Sequence, residues 1–511
     1  MSQNPKKRNS PTSKIGTPAV SEPPVTELAL PVEASPVVNP INKILLDFLQ
    51  DIQSIQKTHA LVLPHVLKWL SDQQKANVTK LAKYVSDVEG EKDFFLDRSA
   101  HEAADMMKAL KALDGLGGMR IPDTLQRSLF TQLFAEYDSF VGALLKVLYK
   151  SKADLLKGIS RQITFADLLS YENLNAVKLD MLDKEIETFR RDSYVEQFTT
   201  LENKFGMKLR GFPEWGEFIE LSQRRNLIVH NGGLVSEQYL IVCDREKFVF
   251  DQRPAIGDSL KPDGRYFSRA IVVISKVAFM LCHTLWRKLF PKDKKEAQLA
   301  ANDVLYELLR DGRWKSAYEI STFCLTEPMK DGIEEIDLRL RTINCAIATK
   351  FSGNQQGCLD CLKTLDWTAS YRDFRLALFV LQDDFAKAKE MMKFIGKSGE
   401  LISEISYHQW PLFFKFRESP EFLQTYEEIY GVSFITAVVR ENAEVTQANK
   451  LEIIKESEMT DFSPKRNNAK ATPIKVPAPS AKNAAKPSKN VKTAGVVRAV
   501  KTVKAIKAIR H

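Results

Sequence analysis

From Ile41 to Leu116 apolar residues recur at helical spacing, as in Ile44, Leu45, Phe48, Leu49, Ile52 and Ile55, and the segment closes at Gly115-Leu-Gly-Gly118. The pattern predicts an N-terminal region of three or four helices over 41–118. A second block opens with Pro122-Asp123 and runs through Leu129, Phe130, Leu133, Phe134, Tyr137 and Phe140 to Leu148. This is a long amphipathic helix whose aromatic stripe is expected to be core. Further helices are expected at about 174–202 and 215–230, the latter ended by Asn231-Gly-Gly233, where glycine takes up a left-handed cap. The period then changes. Tyr239-Leu-Ile-Val-Cys243 and Phe248-Val-Phe250, separated by Asp244-Arg-Glu-Lys247, predict a short β-hairpin. A long helix at about 266–289 completes the block before Pro291.

Between Lys294 and Tyr430 the pattern is again helical, in short segments broken at Asp311-Gly312, Ser352-Gly353, Asp383-Asp384 and Ser398-Gly399. Ala-containing stretches such as Trp314-Lys-Ser-Ala-Tyr318 and Phe385-Ala-Lys-Ala-Lys389 resemble tetratricopeptide-like helical hairpins, without a strict 34-residue period. Such arrays hold a protein partner; a plain helical bundle fits the pattern equally. The expected fold class is all-α: a helical bundle with a small β-hairpin insertion, flanked by helical regions and disordered tails. The expected divisions are 1–40, 41–118, 121–291, 294–440 and 441–511.

Composition changes the picture mainly at the ends. The first 40 residues combine Pro, Ser and Lys with few aromatics, and the last 50 are rich in Lys, Ala and Pro, so both are expected to be disordered. From Lys465 to His511 there are thirteen Lys and Arg and no Asp or Glu, so the net charge of +9 leaves −4 for the rest. The basic character belongs to the tail, a handle for phosphate backbones or simply a solvated segment. The start, MSQNPKKRNSPTSK, has no apolar segment after its charges, and the nearly apolar run Ile271–Cys282 falls short of the ~20 residues needed to span a bilayer. A soluble, cytoplasmic protein without a membrane anchor is expected. Six scattered cysteines fit a reducing compartment. Cys358-Leu-Asp-Cys361 has no second pair to complete a metal site, so no metal and no cofactor is expected. The lack of a Walker-type loop, a His-Glu-x-x-His motif and a nucleophile elbow removes the usual anchors of phosphotransferases, metalloproteases and serine hydrolases.

Among the seven histidines, only His230 has an arginine five to seven residues upstream, and it has two, Arg224 and Arg225. On a helix turning about 100° per residue, Arg225 has Leu221 and Val229 one turn away on either side, with Phe218 and Ile228 adjacent. It is expected to be buried along an apolar strip, where a guanidinium needs an anionic or hydrogen-bonding partner. Arg224 follows Glu220 by one turn and reads as a solvated ion pair. Asn226 and His230 stack at i and i+4, with Ser222 one turn earlier. Arg225, Asn226 and His230 thus place a cation, an amide and an imidazole at one helix end, a set suited to gripping a phosphodiester. The competing reading is a last-turn histidine that complements the helix dipole beside a core-anchored arginine.

The string Phe218-Ile-Glu-Leu-Ser-Gln-Arg-Arg-Asn-Leu-Ile-Val-His-Asn-Gly-Gly233 resembles the signature segment of the HEPN family, in which an arginine and a polar residue precede a histidine near a helix end. The resemblance covers about 121–291, including the later long helix ending in Trp286-Arg-Lys-Leu-Phe-Pro291. It implies a metal-independent endoribonuclease of the toxin or anti-phage kind, acting as a homodimer whose two motifs line one cleft. Arg225 would contact the scissile phosphate, His230 would move protons, and Asn226 would orient His230 or the phosphate. An auxiliary acid on an earlier helix is also implied, with Asp183, Glu185 and Glu187 as candidates. Independently of the family, an imidazole titrates near neutrality and a guanidinium grips two phosphate oxygens. Attack by a 2′-hydroxyl would leave a 2′,3′-cyclic phosphate, which makes RNA the expected partner. A non-catalytic RNA-binding or adaptor protein is the second reading.

Overall fold

The computed structural model describes residues 39–85, 99–159 and 161–443; the two expected tails lie outside this range apart from a few boundary residues. The chain begins with α1 (Pro40–Val85), 46 residues long. Its first half inserts Ile41, Leu45, Phe48, Leu49, Ile52 and Ile55 into the core, a stripe at the three- and four-residue spacing of one helix face. The second half loses that stripe and exposes Leu61 and Trp69. It is met by α2 (Ala100–Gly118), which opens on a reciprocal Ser99–Glu102 capping box. Leu81, Met106 and Ala109 form a small cluster of their own there. Two helices thus occupy the described part of 41–118, where three or four were expected.

The expected aromatic helix is α3 (Ile121–Ser151), which buries Phe130, Leu133, Phe134, Tyr137, Phe140 and Leu148. Two single turns follow, α4 (Ala153–Leu156) and α5 (Phe165–Leu168). The expected helix over 174–202 is two: α6 (Leu174–Arg191) and α7 (Tyr194–Phe205). The break falls where Ser193 and Glu196 make another capping box, which starts a new helix by satisfying its free amides. Gly206 ends α7 in the left-handed conformation, φ 59°. Then come α8 (Trp215–His230), α9 (Glu237–Arg245) and α10 (Gly264–Leu289).

The expected β-hairpin is not formed. Tyr239–Cys243 lies within α9, whose first turn is capped by Ser236 accepting from the Tyr239 amide at 3.2 Å. Tyr239, Val242 and Cys243, at helical spacing, are buried, while Lys247 turns the chain at φ 62°. An isolated antiparallel bridge, Leu234 to Ser259, is the β pairing among the described residues, which hold no strand.

Helix α10 sits at the centre, packed against α1, α3 and α8. It is long and apolar enough to cross a membrane by length and composition, but 78% of that window is buried inside the fold. Its apolar surface is therefore consumed by packing within the chain. Beyond it, α11 (Lys294–Arg310), α12 (Trp314–Cys324), the single turn α13 (Glu327–Lys330), α14 (Glu335–Phe351) and α15 (Gln355–Leu362) stack on one another. They are followed by α16 (Arg372–Leu381), α17 (Phe385–Ile395), the short α18 (Glu404–Gln409) and α19 (Pro420–Tyr430). Residues 434–443 are also helical.

One apolar core runs from Ile41 to Ala437, across the boundaries expected near 118 and 291. Buried charges fasten the same seam. Arg313, ahead of α12, donates to the Leu49 carbonyl of α1 at 3.0 Å and to Ser275 Oγ of α10 at 3.2 Å. Lys276 of α10 bridges Glu214 and Glu319 at 2.7 and 2.8 Å. Pairing or hydrogen bonding of this kind offsets the cost of taking a charge out of water.

Candidate functional site

Helix α8 carries the candidate residues and is held on three sides. Its start approaches the 246–248 turn so closely that a Cβ at Gly216 would sit about 3.0 Å from backbone atoms of Glu246 and Phe248. Its middle buries Phe218, Ile219, Leu221 and Ser222. Its end is closed by amide bonds from Asn231 and Gly233 to the Leu227 carbonyl, with Gly232 and Gly233 at φ 61° and 85°. Arg127 of α3 donates to the Gly232 carbonyl, pinning this cap to the neighbouring helix.

Both arginines are half-buried, and neither takes the role expected of it. Arg224, expected to be a solvated ion pair, has 15% of its side chain exposed, and its partner Glu220 is exposed by 1%. Arg224 Nε donates to Glu220 Oε1 at 2.8 Å, and its guanidinium stacks 3.9 Å from the Tyr266 ring centroid. Tyr239 and Tyr266 donate their hydroxyls to the same carboxylate at 2.7 and 2.6 Å. Burial works against the Arg224 charge, but Tyr266, Glu220 and Tyr239 more than offset it and raise its pKa. The reason is tertiary: Tyr239 of α9 and Tyr266 of α10 cover the Glu220–Arg224 face, whereas Val229, on the Arg225 strip, is exposed.

Arg225 instead borders a cavity of about 400 Å³ lined by Asp138, Arg190, Arg191, Ser193, Tyr194 and Gln197 and by Ser222 and Asn226 of its own helix, among others. Its Nη1 donates to Asn226 Oδ1 at 3.1 Å. Its Nε is buried and has no protein partner. Asp138, from the aromatic helix α3, accepts from the Tyr194 hydroxyl at 2.7 Å. Desolvation raises the Asp138 pKa, opposed by the Tyr194 bond and by the charges of Arg225 and Arg190. Three guanidinium groups, the amides of Gln197, Gln223 and Asn226 and several hydroxyls line this partly enclosed space beside the carboxylates of Asp138 and Asp192; the cations outnumber the acids, and guanidinium donors can match two oxygens of an oxyanion at a time.

His230 is one turn beyond Asn226 on the same face, exposed, and not among the residues that line this cavity. The structure thus brings Arg225 and Asn226 together and leaves His230 at the open helix end beside them. The acids proposed from the sequence are engaged elsewhere: Asp183 pairs with Lys146 at 2.6 Å, Glu185 with Arg161 at 3.0 Å, and Glu187 with Arg191. None of them lines the cavity; Asp192 does, and so does Asp138. Its signal in the sequence was a lone carboxylate inside the aromatic stripe, between Tyr137 and Phe140.

Cys358 is buried, and Cys361 lies against Cys345 rather than opening to a ligand; the Cys361 contact lowers the pKa of the Cys345 thiol. Among the described residues no group of three His, Cys, Asp or Glu is placed to hold a metal ion. Comparison of this chain with protein-family models, curated proteins and solved structures gives no match.

Proposed function

We propose that the chain is a metal-independent endoribonuclease of HEPN type, with the phosphodiester of RNA gripped at the Arg225 cavity. The observation that carries this reading is the Arg225 guanidinium, whose buried Nε lacks a partner while the group faces a polar cavity shared with Arg190 and Asn226. A buried donor left unpaired costs roughly 1–3 kcal/mol, and an anionic oxygen would relieve that cost. In the reaction, the 2′-oxygen loses its proton and attacks phosphorus, the bond to the 5′-oxygen breaks, and that oxygen takes up a proton. Arg225 neutralises charge on the phosphate oxygens, Asn226 orients the group, and His230 carries the proton. His230 reaches the linkage from the exposed helix end, where a second copy of the chain completes the cleft. Toxin or antiviral defence activity is the setting this chemistry suits. The test is incubation of the full chain with matched RNA and DNA strands: the reading expects cut RNA with cyclic phosphate ends and intact DNA, and cutting of both would overturn it.

A second reading is favoured by one observation, the place of His230 outside the cavity lining. In it the same guanidinium groups bind RNA without cleaving it, and the stacked helices over 294–440 serve as an adaptor surface for a protein partner. It expects RNA retention on a filter by wild type and by His230→Ala alike, with no fragments from either.

A further inference from the structure

A separate cavity of about 580 Å³ lies between α10, the 208–213 segment after α7 and the 326–331 segment around α13. Its floor is one face of α10, since Val277, Met280, Leu281, Thr284, Arg287 and Lys288 follow helical spacing. The face is graded. Its N-terminal part, Val277, Met280 and Leu281, is apolar and its C-terminal part, Arg287 and Lys288, cationic, while Phe198, Leu209, Phe212, Phe323 and Met329 add apolar walls to the cavity.

At that cationic end Arg287 Nη2 donates to the carbonyls of Pro328 and Asp331 at 3.0 and 2.8 Å, while Nη1 is buried without a protein partner. Lys208 and Lys288 are exposed at the same cavity. The acid there, Asp331, is already paired with Lys294 at 2.6 Å. The cavity therefore offers an apolar body site and an unsatisfied donor with surplus positive charge at one end. Sites of a few hundred Å³ with apolar walls and few convergent polar groups are those that take small organic ligands.

We propose that this cavity binds an amphipathic organic anion, an apolar carbon body ending in a carboxylate or phosphate, with its head group on Arg287 Nη1 between Lys208 and Lys288. Nucleic acid fits poorly, because its sugars would face the phenylalanine and leucine walls. The chain's own Lys-rich segment after Lys465 carries the wrong charge for the rim. The inference does not depend on the ribonuclease reading.

Titration calorimetry on the full chain with decanoate, decyl phosphate and decanol tests it. Both anions are expected to bind saturably, and decanol about tenfold or more weakly. Lys208→Glu with Lys288→Glu, both at exposed positions, is expected to weaken the anions by about tenfold or more while leaving the unfolding temperature unchanged. Lys178→Glu, exposed on α6 and remote from the lining, should bind as wild type. The better of the two anions names the head group. Saturation by decanol as tight as by decanoate, wild-type affinity in the double variant, or no saturable binding of either anion up to about millimolar would overturn the proposal.

Discussion

The Tyr194 hydroxyl donates to Asp138 at 2.7 Å, tying the first residue of α7 to α3 at the Arg225 cavity. This bond explains why a carboxylate is tolerated in a helix face otherwise given to phenylalanine and tyrosine. Arg225 acts on the same carboxylate, its charge opposing the rise that burial causes.

Asp138→Asn should separate the stability and functional roles of that acid. Because burial raises the Asp138 pKa, the folded state favours its neutral form, and the charge costs stability above the raised value. The asparagine variant is expected to unfold at the same or a higher temperature at pH 7, with the difference vanishing below the unfolded value of 3.8. RNA cutting should fall in the same variant. Thermal unfolding followed by circular dichroism across pH 3–8 checks the first part; a clear loss of stability at pH 7 would contradict it.

Glu220 is the anchor of α8. Glu220→Ala strands the enclosed Arg224 guanidinium and removes the acceptor of both Tyr239 and Tyr266. Breaking one partner of a buried charge pair costs about 3–5 kcal/mol, and urea unfolding should report a loss of that order. Glu220→Gln keeps an acceptor for a tyrosine and should lose less. By contrast Glu187→Ala, which removes an exposed pair with Arg191, should cost about 0–1 kcal/mol.

His283 sits fully buried on α10, 4.2 Å from the Phe279 ring centroid, with neither ring nitrogen bonded to protein. Burial, and then the charges of Arg341 and Arg287, push its pKa down to about 3. The unfolded chain therefore binds this proton more readily than the folded one. Above about pH 6.5 the ring is neutral in both states and makes stability no function of pH, and stability is lost as pH falls from there toward about 3, by up to ~1.4 kcal/mol per pH unit. His283→Phe should flatten that slope in acid unfolding series between pH 6 and 4. An unchanged slope would show that other groups set it.

The helical character, the aromatic core of α3 and the helix that carries Arg225 to His230 were all legible, because they rest on a 3.6-residue period within single segments. The failures share a physical origin in tertiary contacts. Tyr239–Cys243 has strand-like composition, but five apolar residues fit either period, and the Ser236 cap with a buried Tyr239–Val242–Cys243 face decides for helix. The two arginines could not be ranked from one helix wheel, since α9 and α10, not α8 itself, determine which face is covered. Asp138 lies on a different helix from Arg225, and only packing of α3, α6, α7 and α8 brings it to the same cavity.

The most direct measurement is digestion of RNA by the full chain in the presence of a metal chelator, with wild type, Arg225→Ala and His230→Ala run side by side. The account predicts fragments bearing 2′,3′-cyclic phosphate from wild type and rates lower by about 100-fold or more in both variants. Intact RNA from wild type, or a His230→Ala rate equal to wild type, would contradict it.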